Sequence, residues 1–415
     1  MRLGDIANDD ALGYGKPLDG VRVLAAEQMQ ALPFATQLLA RLGAEVVKVE
    51  HPTRGESGRG SVPAVLDPEG RHVGATFLRN NFNKRSVGID LQSDPGRRLF
   101  LALVPQFDVV AENFKAGTME RLGLGPDVIA EANPRAIVLS ISGFGNTLES
   151  PYRSWPAYAS IVEAMSGIYD YKRAEGERPV PNPMGAVGDI TAALFSVVGT
   201  LAALRHRDQT GEGQYVDIAM LDTMVALTDL VMNFNSLGID REPHPAPFLI
   251  TSIACADGFV VMQVVRDNQF HGLGDLVGHP EWRDDPRFAD RTGWTQHLET
   301  EIRPAVEAWC RTRTRTEVSE ALAAFGVVTG PVLTSDEIIS DPHLAARDMV
   351  VEMDRPDGVS TPVRVPGNPV KMSKVARGPE SRVPWVGEHT TDVLRAELGL
   401  DDAEIARLRA DGVIS

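Results

Sequence analysis

Cysteine is almost absent from this chain. Cys255 and Cys310 are the only two, with no C-x-x-C pair, so neither a disulfide scaffold nor a zinc knuckle is encoded. A reducing cytoplasm is the expected setting. Histidines are scattered: His51, His72, His206 and His389 stand alone, and no H-x-H, H-E-x-x-H or two-histidine-one-carboxylate spacing occurs. No metal is expected. Positive charge is also short. Forty-one Lys and Arg face 57 Asp and Glu, a formal net charge of −16, which argues against nucleic acid or an anionic membrane as a partner. A small anionic ligand needs only a few local cations and stays open. No long hydrophobic run is present. The most apolar stretch, Ile190 to Leu204, is interrupted by Thr191, Ser196, Gly199 and Thr200. It is shorter than the roughly 20 residues that cross a bilayer and reads as a buried helix. The segment Met1 to Lys16 carries Asp5, Asp9 and Asp10 without an apolar centre, so it is not expected to be a signal peptide.

What is there is an alternation of strands and helices. Val21 to Ala26 is a short apolar run, Phe34 to Leu42 has helical spacing that Gly43 ends, and EVVKVE (Glu45 to Glu50) is a second strand. Further strands are expected at Val87–Leu91, Asp108–Ala111 and Ala136–Ile141, with helices at Asp94–Leu103 and Gly125–Ala132. This order implies an α/β fold with a parallel sheet covered on both faces. A long helix follows from Gly188 to about Arg207, then a strand at Gln214–Ala219 and a helix at Leu221–Leu237. The polar, proline-rich segment after Leu237 reads as a linker at 238–248. It divides a large domain (1–237) from a small α+β domain (249–345), which begins with a hairpin turning at Asp257-Gly258. Residues 346–415, ending in helices at Thr390–Glu397 and Asp401–Arg409, form a linker and a further part.

Chemistry is hard to find by motif. The first β-α-β unit would suit a dinucleotide, but its loop, Glu27 to Pro33, holds no glycine, so G-x-G-x-x-G is missing. GESGRGS (Gly55 to Ser61) lacks the GK[ST] ending of a P-loop and reads as a flexible loop. No G-x-S-x-G elbow occurs. Asp189, after Gly188 and before an apolar helix, is in the place of an N-cap, whose carboxylate accepts from free amides of the first turn. The same setting favours an ionised carboxylate, the form a nucleophile needs.

An ordered set of segments resembles the family III CoA-transferases, among them formyl-CoA:oxalate CoA-transferase, carnitine CoA-transferases and α-methylacyl-CoA racemase. The pieces are PLDGVRVL (Pro17 to Leu24), ATQLLARLGAEVVKVEHP (Ala35 to Pro52), NKRSVGIDL (Asn83 to Leu91) and DVVAENFKAGTMERLGLG (Asp108 to Gly125). Then come NPRAIVLSISGFG (Asn133 to Gly145), EAMSG (Glu163 to Gly167), GDITAALFSVVGTLAAL (Gly188 to Leu204) and TGEGQYVDIAMLD (Thr210 to Asp222). GPV (Gly330 to Val332) and WVGEHTTDVL (Trp385 to Leu394) complete it. The resemblance implies a Rossmann-like large domain built from the N- and C-terminal parts, an inserted small domain, and two chains interlocked as rings.

It also implies a function: acyl-CoA:carboxylate CoA transfer, with acyl-CoA and a carboxylic acid as partners and no permanently bound cofactor. Asp189 matches the family's nucleophile, which forms a mixed anhydride and then an enzyme–CoA thioester. Gln30 matches a glutamine beside that aspartate. Lys84 matches a lysine near the CoA nucleotide, with Arg85 next to it, and Asn113 and Arg121 match residues lining the CoA groove. His51 stands where formyl-CoA transferase has an arginine, so adenine-side contacts are expected to differ. Leu32 replaces the family's usual glycine before the first helix. Tyr158 occupies the place of the racemase histidine, and Ala159 that of the acid after it. With a phenol pKa of about 10, tyrosine is a poor proton acceptor at neutral pH, which disfavours the alternative reading, an acyl-CoA racemase or isomerase. A non-catalytic acyl-CoA-binding homologue is a third reading, opposed by the retained Asp189. No tetraglycine lid lies between Pro243 and His279, so formate and oxalate are not the expected acids.

Overall fold

The computed structural model describes residues 1–170, 173, 175–227, 231–238 and 248–415. The linker expected at 238–248 lies almost wholly outside them. The chain divides into two compact units, Met1–Asn233 with Pro342–Ser415, and Phe234–Asp341.

In the first unit six strands form one parallel sheet. They are β1 (Arg22–Ala26), β2 (Glu45–Glu50), β3 (Lys84–Gly88), β4 (Val109–Glu112), β5 (Ile137–Ser142) and β6 (Tyr215–Ala219). Their order is β3-β2-β1-β4-β5-β6, the doubly wound arrangement. The period-2 pleat of β1 sends Val23 and Ala25 to one apolar core and Leu24 and Ala26 to another. The first core is closed by α1 (Ala31–Arg41), α5 (Ala159–Met165), α6 (Val187–Thr210) and α7 (Met220–Ala226). The second is closed by α2 (Asp94–Leu103), by α4 (Pro126–Ala132), which follows the short α3 (Thr118–Arg121), and by helices from the chain's last third.

β2 and α2 have the expected bounds, but β3 begins at Lys84, three residues before the apolar run that suggested it. α6 is longer than its apolar stretch, because a polar turn to Thr210 continues it before Gly211 ends it at φ 83°. By length and composition α6 could cross a membrane; in this fold 44% of its apolar window is buried. One side packs against α1 and α5. Leu194, Phe195, Val198 and Leu201 on the other side are exposed.

The second unit has a three-stranded antiparallel sheet of β7 (Leu249–Cys255), β8 (Gly258–Val264) and β9 (Val328–Pro331). α8 (Asp267–Val277), α9 (Arg303–Cys310) and α10 (Arg315–Ala324) carry its core. Phe270 and Trp294 stack there at 4.5 Å between centroids.

Chain from Pro342 onward returns to the first unit. It forms the antiparallel pair β10 (Val350–Met353) and β11 (Val363–Pro366), then α11 (Thr390–Leu398) and α12 (Asp402–Ala410). Val393, Leu394, Ile405 and Leu408 lie in the same core as Val47, Val87 and Val110. Backbone joins confirm the return: the Gly88 amide donates to Thr390 Oγ1 at 2.9 Å, and that of Asp90 to the Val413 carbonyl at 2.9 Å.

Candidate active site

In a parallel sheet of this order the connections leave β1 toward one side and β4 toward the other, so a crevice opens at their carboxyl ends. Two side-chain bonds span it. Asn113, just after β4, accepts from the Gln28 amide at 2.9 Å and donates to the Gln28 carbonyl at 2.9 Å. The next residue, Met29, has φ 60°, a left-handed conformation uncommon for a side chain of this kind. Its amide is held by Glu56 Oε2 at 2.8 Å. Gln30 follows at the N-cap position of α1, without a side-chain cap bond.

Beneath this loop lies a buried charge network. Glu27 takes Lys84 Nζ at 2.7 Å, Lys48 Nζ at 3.5 Å and the Thr36 hydroxyl at 2.6 Å. Lys48 also reaches Glu56 at 3.5 Å. Burial alone would raise the Glu27 carboxyl, but Lys84 and Lys48 hold it below the usual carboxylate range. The arrangement reassigns Lys84. Its ammonium gives its donors to Glu27, to the Pro33 carbonyl at 2.9 Å and to Asn81 Oδ1 at 3.0 Å, and it is buried. An ammonium has three donors, so none is left for a phosphate. GESGRGS is likewise a short 3-10 turn, Ser57–Gly60, in which Arg59 pairs with Glu50 at 2.6 Å.

Asp189 is not the cap of its helix. α6 begins at Val187, and its N-cap, Ala186, makes no side-chain bond. Asp189 is therefore the third helical residue. The capping oxygen comes from another helix: Glu163 Oε1, on α5, accepts from the Gly188 amide at 3.0 Å. Its Oε2 accepts from the Tyr169 hydroxyl. Helix α5 comes that close because Gly188 has no side chain; a β-carbon there would lie 3.1 Å from Ala159 Cα and 2.8 Å from Val162 Cγ2. Among the described residues no donor bonds the Asp189 carboxylate. Burial, and then the like charge of Glu163, push its carboxyl up to about 6.

Tyr158 immediately precedes Ala159, at the N-cap position of α5, and its side chain is exposed. Both α1 and α6 start at the carboxyl edge of the sheet, and Ala31, Leu32, Ala192 and Ala193 share one core. That edge gathers Gln30, Asn113, Tyr158 and Asp189. His51, directly after β2, belongs to it too; its Nδ1 accepts from the amides of Thr53 (3.2 Å) and Arg54 (3.4 Å). Arg121, in α3 beyond β4, is exposed and donates to Thr118 Oγ1 at 2.8 Å. Arg85 is elsewhere. It pairs with Glu45, the first residue of β2, at 2.9 Å, and Glu45 pairs with Arg22, the first of β1, at 3.0 Å. This is the amino edge, opposite the crevice.

Glu27, Glu56 and Glu163 were not singled out from the sequence. A signal existed for Glu163: it stands one helical turn after Ala159 and next to Val162, on the face that packs. A glutamate on an apolar helix face is rarely idle. Glu27 and Glu56 gave none, because their partners are distant in sequence.

A half-buried carboxylate with no donor among the described residues, at a crevice suited to a nucleotide-like ligand, can attack an activated acyl group. Among the described residues no group of three or more His, Cys, Asp and Glu could hold a metal ion. Comparison with known proteins gives the class of chemistry. The sequence model of the family described as CoA-transferase family III matches residues 18–390. The chain is 34% identical over 407 residues to the succinyl-CoA–L-malate CoA-transferase beta subunit of Chloroflexus aurantiacus, covering 96% of this chain and 98% of that protein. It is 36% identical over 392 residues to the succinyl-CoA:mesaconate CoA-transferase of Haloarcula marismortui, covering 92% and 97%. A crystal structure of a CaiB/BaiF family protein from Brucella suis superposes with a TM-score of 0.79 at 31% identity, over 92% of this chain and 100% of that one.

Proposed function

The chain belongs to CoA-transferase family III, an enzyme family that moves CoA between carboxylic acids, and we propose that Asp189 is the nucleophile of that transfer. The observation that carries this is the state of Asp189: half-buried, bonded by no donor among the described residues, and placed in the first turn of a helix at the crevice. Its carboxylate oxygen attacks the thioester carbonyl of the donor. The C–S bond breaks, CoA leaves as thiolate, and a mixed anhydride remains. The thiolate attacks the aspartyl carbonyl and expels the donor acid as carboxylate, leaving an aspartyl–CoA thioester. The acceptor carboxylate attacks this thioester, and the released thiolate takes the acceptor's acyl group, restoring Asp189. Each step exchanges one acyl bond for another, which is why a covalent route lowers the barrier.

The names of the two relatives support a short dicarboxylic acid as both donor acyl group and acceptor. Gln30 and Tyr158 orient the acyl group; Asn113, Arg121 and His51 line the CoA side. Lys84 and Arg85, assigned to CoA from the sequence, act instead in holding the sheet together. A racemase is not favoured, since the relatives are named as transferases and Tyr158 replaces a stronger base. The exposed apolar stripe on α6 supports a homodimer, with the interlocked form as its expected shape. The free thiols Cys255 and Cys310 fit a cytoplasmic enzyme.

The test is incubation with succinyl-CoA and a panel of dicarboxylic acids in deuterated water. Appearance of the acceptor's CoA thioester, without α-deuteration of the donor, is the expected result. Deuteration without CoA exchange would overturn the transferase mechanism.

A further inference from the structure

We propose that Glu163 is a positioning residue for the nucleophile Asp189: it takes the helix-end amide of Gly188 for itself and so sets a second carboxylate beside the residue that precedes Asp189. This rests on the reading of Asp189 as nucleophile. A carboxylate in the first turn of a long helix is ordinarily stabilised by the unpaired amides there. Here the Gly188 amide goes to Glu163 at 3.0 Å, and among the described residues nothing donates to Asp189. Glu163 is buried; the Gly188 amide holds one of its oxygens and the Tyr169 hydroxyl donates to the other. The elements packed against α6 carry other charged or titratable groups: Arg41 at the far end of α1, Asp222 on α7, and Tyr215 and Asp217 on β6. Of all these only Glu163 acts on the Asp189 carboxyl.

The chemical consequence is differential. A more basic carboxylate is a stronger nucleophile once ionised. The repulsion exists only while Asp189 is free, because in the anhydride and in the CoA thioester its carbonyl is neutral. Acylation therefore relieves the repulsion, which raises the reactant relative to both covalent intermediates.

Glu163→Gln keeps an oxygen for the Gly188 amide and removes the charge. In this variant the acid limb of the kcat/KM profile should move down by about one pH unit, with KM for the donor little changed. Tyr169→Phe, which keeps the charge, should leave the limb in place. A residue that merely capped the helix would alter thermal stability and leave the limb near pH 6; that result overturns the proposal. The 13C resonance of the Asp189 carboxyl, assigned by its loss in Asp189→Asn, provides a readout without substrate. Its titration should fall in Glu163→Gln even if the protein transfers no CoA, which would defeat the transferase mechanism and uphold Glu163. An unmoved titration overturns the role of Glu163 whatever the activity. Should Glu163→Gln not fold, Glu163→Asp draws the charge back by one methylene, and the titration should shift less but in the same direction. No shift there is equally fatal.

Discussion

Gly188 and Ala159 meet backbone to backbone. A β-carbon on Gly188 would stand 3.1 Å from both the Cα and the carbonyl oxygen of Ala159. That contact sets the distance between the starts of α5 and α6, hence between Tyr158, Glu163 and Asp189. Gly188→Ala should push the helices apart at a cost of roughly 1–3 kcal/mol. Turnover should fall further than stability explains, because the Glu163 bond to the Gly188 amide is stretched. Thermal unfolding and kcat measured together check this; an unchanged kcat would show that the spacing is not critical.

Asp189→Asn should abolish CoA transfer and leave a folded protein. In the unaltered enzyme the rate should rise with pH through about 6 and level off above, since the attacking form is the ionised one. Stability runs the other way. The folded state binds a proton on Asp189 more tightly than the unfolded chain does, so between about pH 4 and 6 its contribution to stability falls as pH rises. At pH 7.5 Asp189→Asn should thus be the more stable protein, by on the order of 2 kcal/mol. The gain should shrink through pH 6 and vanish below pH 4. Denaturant titrations at three pH values measure it.

Lys84→Met separates a fold role from a CoA role. With Lys84 gone, Glu27 is left one cation short in a buried site, and the loss should be about 3–5 kcal/mol. KM for acyl-CoA in the surviving folded protein should stay within a few-fold. A large KM effect with normal stability would return Lys84 to the ligand.

Val198→Asp puts a charge in the middle of the exposed stripe on α6. Sedimentation should show a dimer for the unaltered protein that dilution does not split, and monomer or aggregate for the variant. A monomer before substitution would defeat the homodimer.

Sequence reasoning located elements whose apolar pattern is local. β2 and α2 were readable because EVVKVE and Asp94–Leu103 carry their own signal. It missed the start of β3, since Lys84 and Ser86 are polar yet buried, and the partners that make this tolerable, Glu27 and Glu50, lie far back in the chain. The cap reading of Asp189 failed for a similar reason. N-cap rules assume that the capping oxygen is local, whereas here it arrives from Glu163 on another helix. Arg85 was read from its neighbours, but a strand has two ends, and only the sheet order shows that Arg85 faces the end away from the crevice.

The cover on the sheet's second face sets the order of events during synthesis. Val47, Val87 and Val110 are made early, while their partners Val393, Leu394, Ile405 and Leu408 leave the ribosome only after the whole second unit has been translated. Until then one face of a finished parallel sheet has no helices from the chain's end to cover it, and such surfaces aggregate readily. A chain stopped after Asp341 would keep Asp189, Glu163 and Gln30 and still be prone to aggregate, because it would carry the chemistry on a sheet whose second apolar face is only partly covered, by α2 and α4.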